Sequence, residues 1–84
     1  MAAAADLEGI ADYLYLHHPS FARATIQKLY DAAKPLRTLP FMGRVGKISG
    51  TRELVLAPLP YLIIYAVDDL SIHILRILHA SQER

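Results

Sequence analysis

The apolar and polar positions divide the chain into two parts with different periods. From Thr51 to Ala80, TRELVLAPLPYLIIYAVDDLSIHILRILHA, the pattern predicts three strands: Arg52–Leu56, Tyr61–Val67 and Ser71–Leu78. The middle segment, YLIIYAV, is apolar at every position, as a central strand is when both of its faces are at least partly covered. Pro58 and Pro60 break the first junction, because proline has no N–H to give to a ladder. Asp68 and Asp69 break the second through their turn-forming side chains. Junctions this short favour antiparallel neighbours, since a parallel crossover needs a dozen residues or more.

Before Thr51 the period is helical. Leu7, Ile10, Ala11 and Leu14 recur at i, i+3, i+4 and i+7 and predict a helix over residues 2–16, which His17-His18-Pro19 ends. A second helix is expected from Phe21 to Leu36, with Ser20 as its cap and Ala22, Ile26, Leu29, Ala33 and Leu36 as its apolar stripe. Pro35 would cost an interior turn about 3 kcal/mol, so it should kink or end that helix. Residues 39–50 read as a loop punctuated by Pro40, Gly43, Gly46 and Gly50. The expected architecture is one α+β domain spanning residues 1–84, with a two-helix N-terminal hairpin on one face of a three-stranded antiparallel sheet. The opposite face has no cover in this arrangement although YLIIYAV is apolar there too, which points to a protein partner.

Composition narrows the picture. The 84 residues contain no cysteine, so disulfides and thiolate metal sites are excluded. No apolar run is long enough to span a bilayer, and MAAAADLEGI lacks the basic start of a signal peptide, so a soluble cytoplasmic protein is expected. The net charge is +1 but unevenly spread: residues 1–33 carry −2, residues 34–52 carry +5 with no acid, and residues 53–84 carry −2. A basic segment on a near-neutral protein suggests a specific anionic contact, and Arg44, Lys47 and Arg52 are the candidate target- or nucleic-acid-binding residues.

Metal-free RNA cleavage needs a proton acceptor, a proton donor and cations for the developing phosphorane charge. Arg52, Arg76 and His79, with Arg44 and Lys47, are residue types that suit those tasks. In a regular strand Arg76 and His79 fall on opposite faces, so they meet only if the strand bends or bulges. Arg76, inside ILRIL, is equally suited to a structural ion pair with Asp6, Glu8, Asp12 or Glu53, its stem buried. Tyr61 and Tyr65 share one strand face, where core packing is the default role. His17-His18 lacks the companions of a metal site, and no cofactor-binding motif is present.

Taken in order, DLEGIADYL, LRTLPFMGR, GTRELVL, PYLIIYAV and ILRILHASQ resemble the RelE/ParE superfamily of toxins from type II toxin–antitoxin systems. The resemblance runs from Asp6 to Gln82. It implies two N-terminal helices on an antiparallel sheet, four-stranded in the family. It also implies growth inhibition and neutralisation by a cognate antitoxin that wraps the toxin. Two departures stand out. The family's short strand ahead of the first helix is missing. Leu62 stands where the ribosome-dependent nucleases carry an arginine at the start of the central strand. The wording is closer to the ParE-like branch, which implies poisoning of DNA gyrase. A RelE-like mRNA endonuclease, with Arg52, Arg76 and His79 as catalytic residues, is the alternative. An inactive member kept as a binding or regulatory module is a third.

Overall fold

A computed structural model describes residues 2–69 and 71–80. The helix α1 spans Ala2–His17 and α2 spans Pro19–Ala33, so a single residue, His18, turns the hairpin. The expected start of α2 at Phe21, capped by Ser20, is corrected. Pro19 occupies the first turn, where its fixed φ and missing N–H cost nothing, and His18 precedes it without a side-chain cap. At the other end Pro35 acts as expected: the helix stops at Ala33 and continues as a tight 3-10 turn, Lys34–Arg37.

The sheet has four strands in the order β1-β2-β3-β4, all antiparallel: Arg44–Val45, Thr51–Val55, Tyr61–Val67 and Ile72–His79. The expected three-strand meander is present as β2–β4. The additional strand, β1, comes from the segment expected to be loop, and Arg44 and Val45 pair there with Glu53 and Arg52. Two residues between glycines carry too little alternation to be recognised as a strand. The ends of the family motifs at Ser81 and Gln82 lie outside the described residues.

Register assigns the faces. Leu54, Ile63 and Ile77 form one cross-sheet row, and Arg52, Tyr65 and Ile74 another; both lie on the side the helices cover. The core forms there from Leu29, Leu36, Leu54, Leu56, Tyr61, Ile63 and Tyr65, with Leu7, Ile10 and Ile74 packed against it. Between Ile74 and Arg76 the ladder is irregular: Leu75 has no partner, so Ile74 opposes Tyr65 and Arg76 opposes Ile64. The bulge keeps Ile72, Ile74, Ile77 and His79 on the helix side together.

The other side carries Glu53, Ile64 and Arg76 in one row and Val55, Leu62 and Leu78 in the next. This side is less bare than expected. Leu62 and Leu78, direct cross-strand partners, are both buried, and Ile64 is half-buried; Val55 alone in those rows is an exposed aliphatic. Among the described residues no helix is long and apolar enough to cross a membrane.

Candidate functional site

The basic segment is held as a rigid arm by a few buried or half-buried groups. Tyr65, fully buried, extends its hydroxyl out of the core: it donates to the Pro40 carbonyl at 2.8 Å and accepts from the Gly43 N–H at 3.0 Å. The Arg52 guanidinium, on the same face, donates to the Gly43 carbonyl at 2.8 Å and the Phe41 carbonyl at 3.3 Å, and lies 4.8 Å from the centre of the Phe41 ring. Gly43 sits so close to this anchor that a Cβ would be 2.7 Å from the Tyr65 hydroxyl and 2.8 Å from the Glu53 carbonyl. Beyond it, Gly46 donates to the Thr51 carbonyl, and Gly50 turns the chain at φ +83°.

The candidate cations have different roles in this frame. Arg52 is spent on the arm's own carbonyls. Arg44 pairs with Glu53, at 2.9 Å from Nη2 to Oε1, but its side chain remains 55% exposed above a carboxylate that is only 5% exposed. Lys47, between Gly46 and Ile48, makes no ion pair among the described residues, and neither does Arg37 at the arm's base. What sequence reasoning missed is the company these cations keep. Leu39, Phe41, Met42, Val45 and Ile48 are all exposed on the same arm. The signal was present as apolar residues in a segment rich in turn formers, where no burial pattern explains them.

The three candidate catalytic residues do not converge. Arg52 stands level with Tyr65 and His79 with Tyr61, four residues apart on β3, or about 13 Å at ~3.3 Å per residue. Arg76 projects from the opposite face to both. The bulge that could have brought Arg76 and His79 together lies before both and leaves their relation unchanged. His79 meets the Tyr61 ring edge-on, with centroids 5.6 Å apart, beside a groove of about 710 Å³ that Tyr13, His18 and Phe21 also line.

Arg76 is instead tied to α1. Its Nε and Nη2 reach both oxygens of Asp6, at 2.7 and 3.0 Å, and Asp6 also accepts the Ile77 N–H at 2.9 Å. The expected helix-acid partner is therefore present. The side chain as a whole is 47% exposed. The hydrogen bond from Arg76 is the main cause that holds the Asp6 carboxyl below its ordinary value, and the same pair raises that of Arg76. Among the described residues no three potential metal ligands come together.

The chain matches the family model for the ParE toxin of type II toxin–antitoxin systems, parDE, over residues 1–84. The toxin RelE2 of Caulobacter vibrioides is 41% identical over 80 residues, covering 95% of this chain and 89% of the relative. Y4kP of Sinorhizobium fredii is 36% identical over 77 residues, covering 92% of this chain and 79% of the relative. Among solved structures, a chain of a chromosomal ParDE system from P. aeruginosa superposes with a TM-score of 0.84 at 31% identity, covering 95% of this chain and 89% of that one.

Proposed function

The chain belongs to the ParE toxin family of type II toxin–antitoxin systems, and on that premise we propose that it acts in the cytoplasm by binding and poisoning DNA gyrase, and that a cognate antitoxin neutralises it by direct contact. The observation that carries the binding reading is the dispersal of the candidate catalytic residues Arg52, Arg76 and His79. A general acid–base pair must lie within hydrogen-bond reach of one reacting phosphate. Arg52, Arg76 and His79 sit on two faces and in three rows of the sheet, and Arg52 and Arg76 already hold partners within the fold. Leu62 agrees with this: where an endonuclease would present an arginine, this chain has a buried aliphatic. The likeness to a chain of a ParDE system supports the antitoxin, since that structure is named as a toxin–antitoxin system.

Two incubations test the target. Purified protein with gyrase and supercoiled plasmid should trap cleaved DNA, and the same protein with translating ribosomes should leave the message intact. Message cut in the second tube would replace this reading with the mRNA endonuclease. No effect in either tube, from a folded protein that also leaves growth unchanged, would leave only a binding module.

A further inference from the structure

We propose that the open half of β4 pairs with the same strand of a second copy of this chain, joining two sheets edge to edge about a two-fold axis at His73. The alternation of the ladder shows what this edge offers. The Asp68 N–H donates to the Ser71 carbonyl and the Ala80 N–H to the Pro60 carbonyl, which sets the bonded pairs at the two ends of the β3–β4 ladder. Counting inwards from each end, with the unpaired Leu75 absorbing the offset, the N–H and C=O of Ile72 and Ile74 face away from β3, as do those of Ile77. Ile77 is already engaged, because its N–H goes to Asp6 at 2.9 Å where α1 covers the edge. Among the described residues no hydrogen bond reaches the outward groups of Ile72 and Ile74. Such a row is a template for another strand.

The strip is complementary to itself. Residues 71–75 contain no Lys, Arg, Asp or Glu, so nothing there attracts a charged partner. In an antiparallel pair, Ile72 of one copy exchanges both backbone bonds with Ile74 of the other, and the reverse, which uses every outward group of the strip. The axis is perpendicular to the sheet, so both helix layers lie on one side. There isoleucine meets isoleucine, and each strip borders an apolar groove of about 650 Å³ lined by Ala3, Leu7, Leu29, Tyr30 and Ala33. The two grooves meet in one seam, beside a Tyr30 that is 54% exposed in the single chain. Charge agrees. Asp68 and Asp69 precede the strip and Arg76 follows it, so antiparallel pairing sets the acidic end of each copy towards the cationic end of the other. The opposite edge lacks these features: β1 is two residues long and carries Arg44, with Lys47 close behind, which repel on self-pairing. The β4 strip is short, so the dimer belongs to the weak class of interfaces and dissociates on dilution.

The test uses the full chain, first without substitution. Sedimentation should show a monomer that becomes a dimer as concentration rises, and over the same range amide exchange should slow at Ile72 and Ile74. A cross-link then reads the register. His73 faces His73 of the other copy as a non-bonded pair, with Cα atoms about 4.5 Å apart, inside the ~4.4–6.8 Å that a disulfide spans. The chain has no cysteine, so His73→Cys supplies the single thiol. In oxidised glutathione it should form the disulfide dimer at least about tenfold faster than Leu75→Cys, whose two thiols lie far apart on either side of the axis. A monomer at every concentration would overturn the proposal. So would a dimer in which the Ile72 and Ile74 amides exchange as before, or equal cross-linking by the two variants. Protection of both amides already complete in the dilute monomer would place a segment of the same chain on this edge and equally overturn it. Gyrase takes no part in these measurements, so a monomer that still poisons gyrase would remove this inference and leave the proposed function standing.

Discussion

The sheet ends in two edges that are managed in different ways. β4 is eight residues long and rich in isoleucine and leucine, the kind of edge that invites another strand. It is guarded: α1 lies along it, and Asp6 takes both the Arg76 guanidinium and an Ile77 N–H that β3 does not use. An apolar groove of about 650 Å³ remains between Ala2–Ala4, α2 and the Ile72–Leu75 end of that edge. β1 is two residues long, and its outward side chains face solvent. An edge so short has little backbone to protect, so it needs no helix over it. Its stability comes from a hydroxyl and a guanidinium reaching out of the neighbouring strands. The long edge is closed at its Arg76 end by charge and packing, whereas the short one is propped from beneath and free to display what it carries.

The contrast is sharpest at Tyr65, where one oxygen atom makes two of the arm's hydrogen bonds. Tyr65→Phe keeps the ring in the core but leaves the Pro40 carbonyl and Gly43 N–H without their partner. The expected loss is about 1–3 kcal/mol of global stability. Hydrogen exchange should rise at Gly43 while the amides of β3 and β4 stay protected. A uniform rise across the sheet would mean that arm and core melt as one unit and would break the comparison. Gly43→Ala should follow with a somewhat smaller loss, about 1–2 kcal/mol, because the new Cβ must push back the Tyr65 hydroxyl and the Glu53 carbonyl. Chemical denaturation of both variants ranks them. An alanine variant as stable as the parent would show that the arm yields easily.

The two edges were also unequally legible in the sequence. YLIIYAV, the helical stripe at Leu7, Ile10, Ala11 and Leu14, and the interruptions at Pro35, Pro58 and Asp68 are local signals, and the elements they predict are present. β1 was hidden because its cause is not local. The pairing of Arg44 with Glu53, and the reach of Tyr65 across 22 residues to Gly43, depend on tertiary geometry that no window of periodicity contains. The helix-acid partner of Arg76 was foreseeable because an arginine inside an apolar strand must find an anion, and Asp6 was among the few within reach. Its exposure was not, since only the course of α1 along the strand decides how the side chain leaves the edge. That Arg76 and His79 occupy opposite faces follows from strand alternation, but the bulge that turns Arg76 away from the Ile72 and Ile74 side, and the loop carbonyls that engage Arg52, do not.

The smallest effect is expected at the guarded edge, and it has a signature in pH. Asp6 is held below the ordinary carboxylate value of 3.8 mainly by its hydrogen bond from Arg76, assisted by the Ile77 N–H and opposed by desolvation. A depressed folded value means that the unfolded chain takes up the proton first as pH falls. The stabilisation is therefore complete above the unfolded value, near 3.8, and is lost as pH drops through the lower folded value. Asp6→Asn removes the charge but keeps an oxygen for the Ile77 N–H, so at neutral pH it should cost less than either arm variant, because Arg76 is half-exposed and screened. The two proteins should then converge as the pH falls towards 2, the parent losing stability that the variant never had. Parallel melting curves across that range would show that Asp6 guards the edge through its hydrogen bond to the backbone rather than through its charge, and the long edge would then be held, like the short one, by a dipole rather than an ion pair.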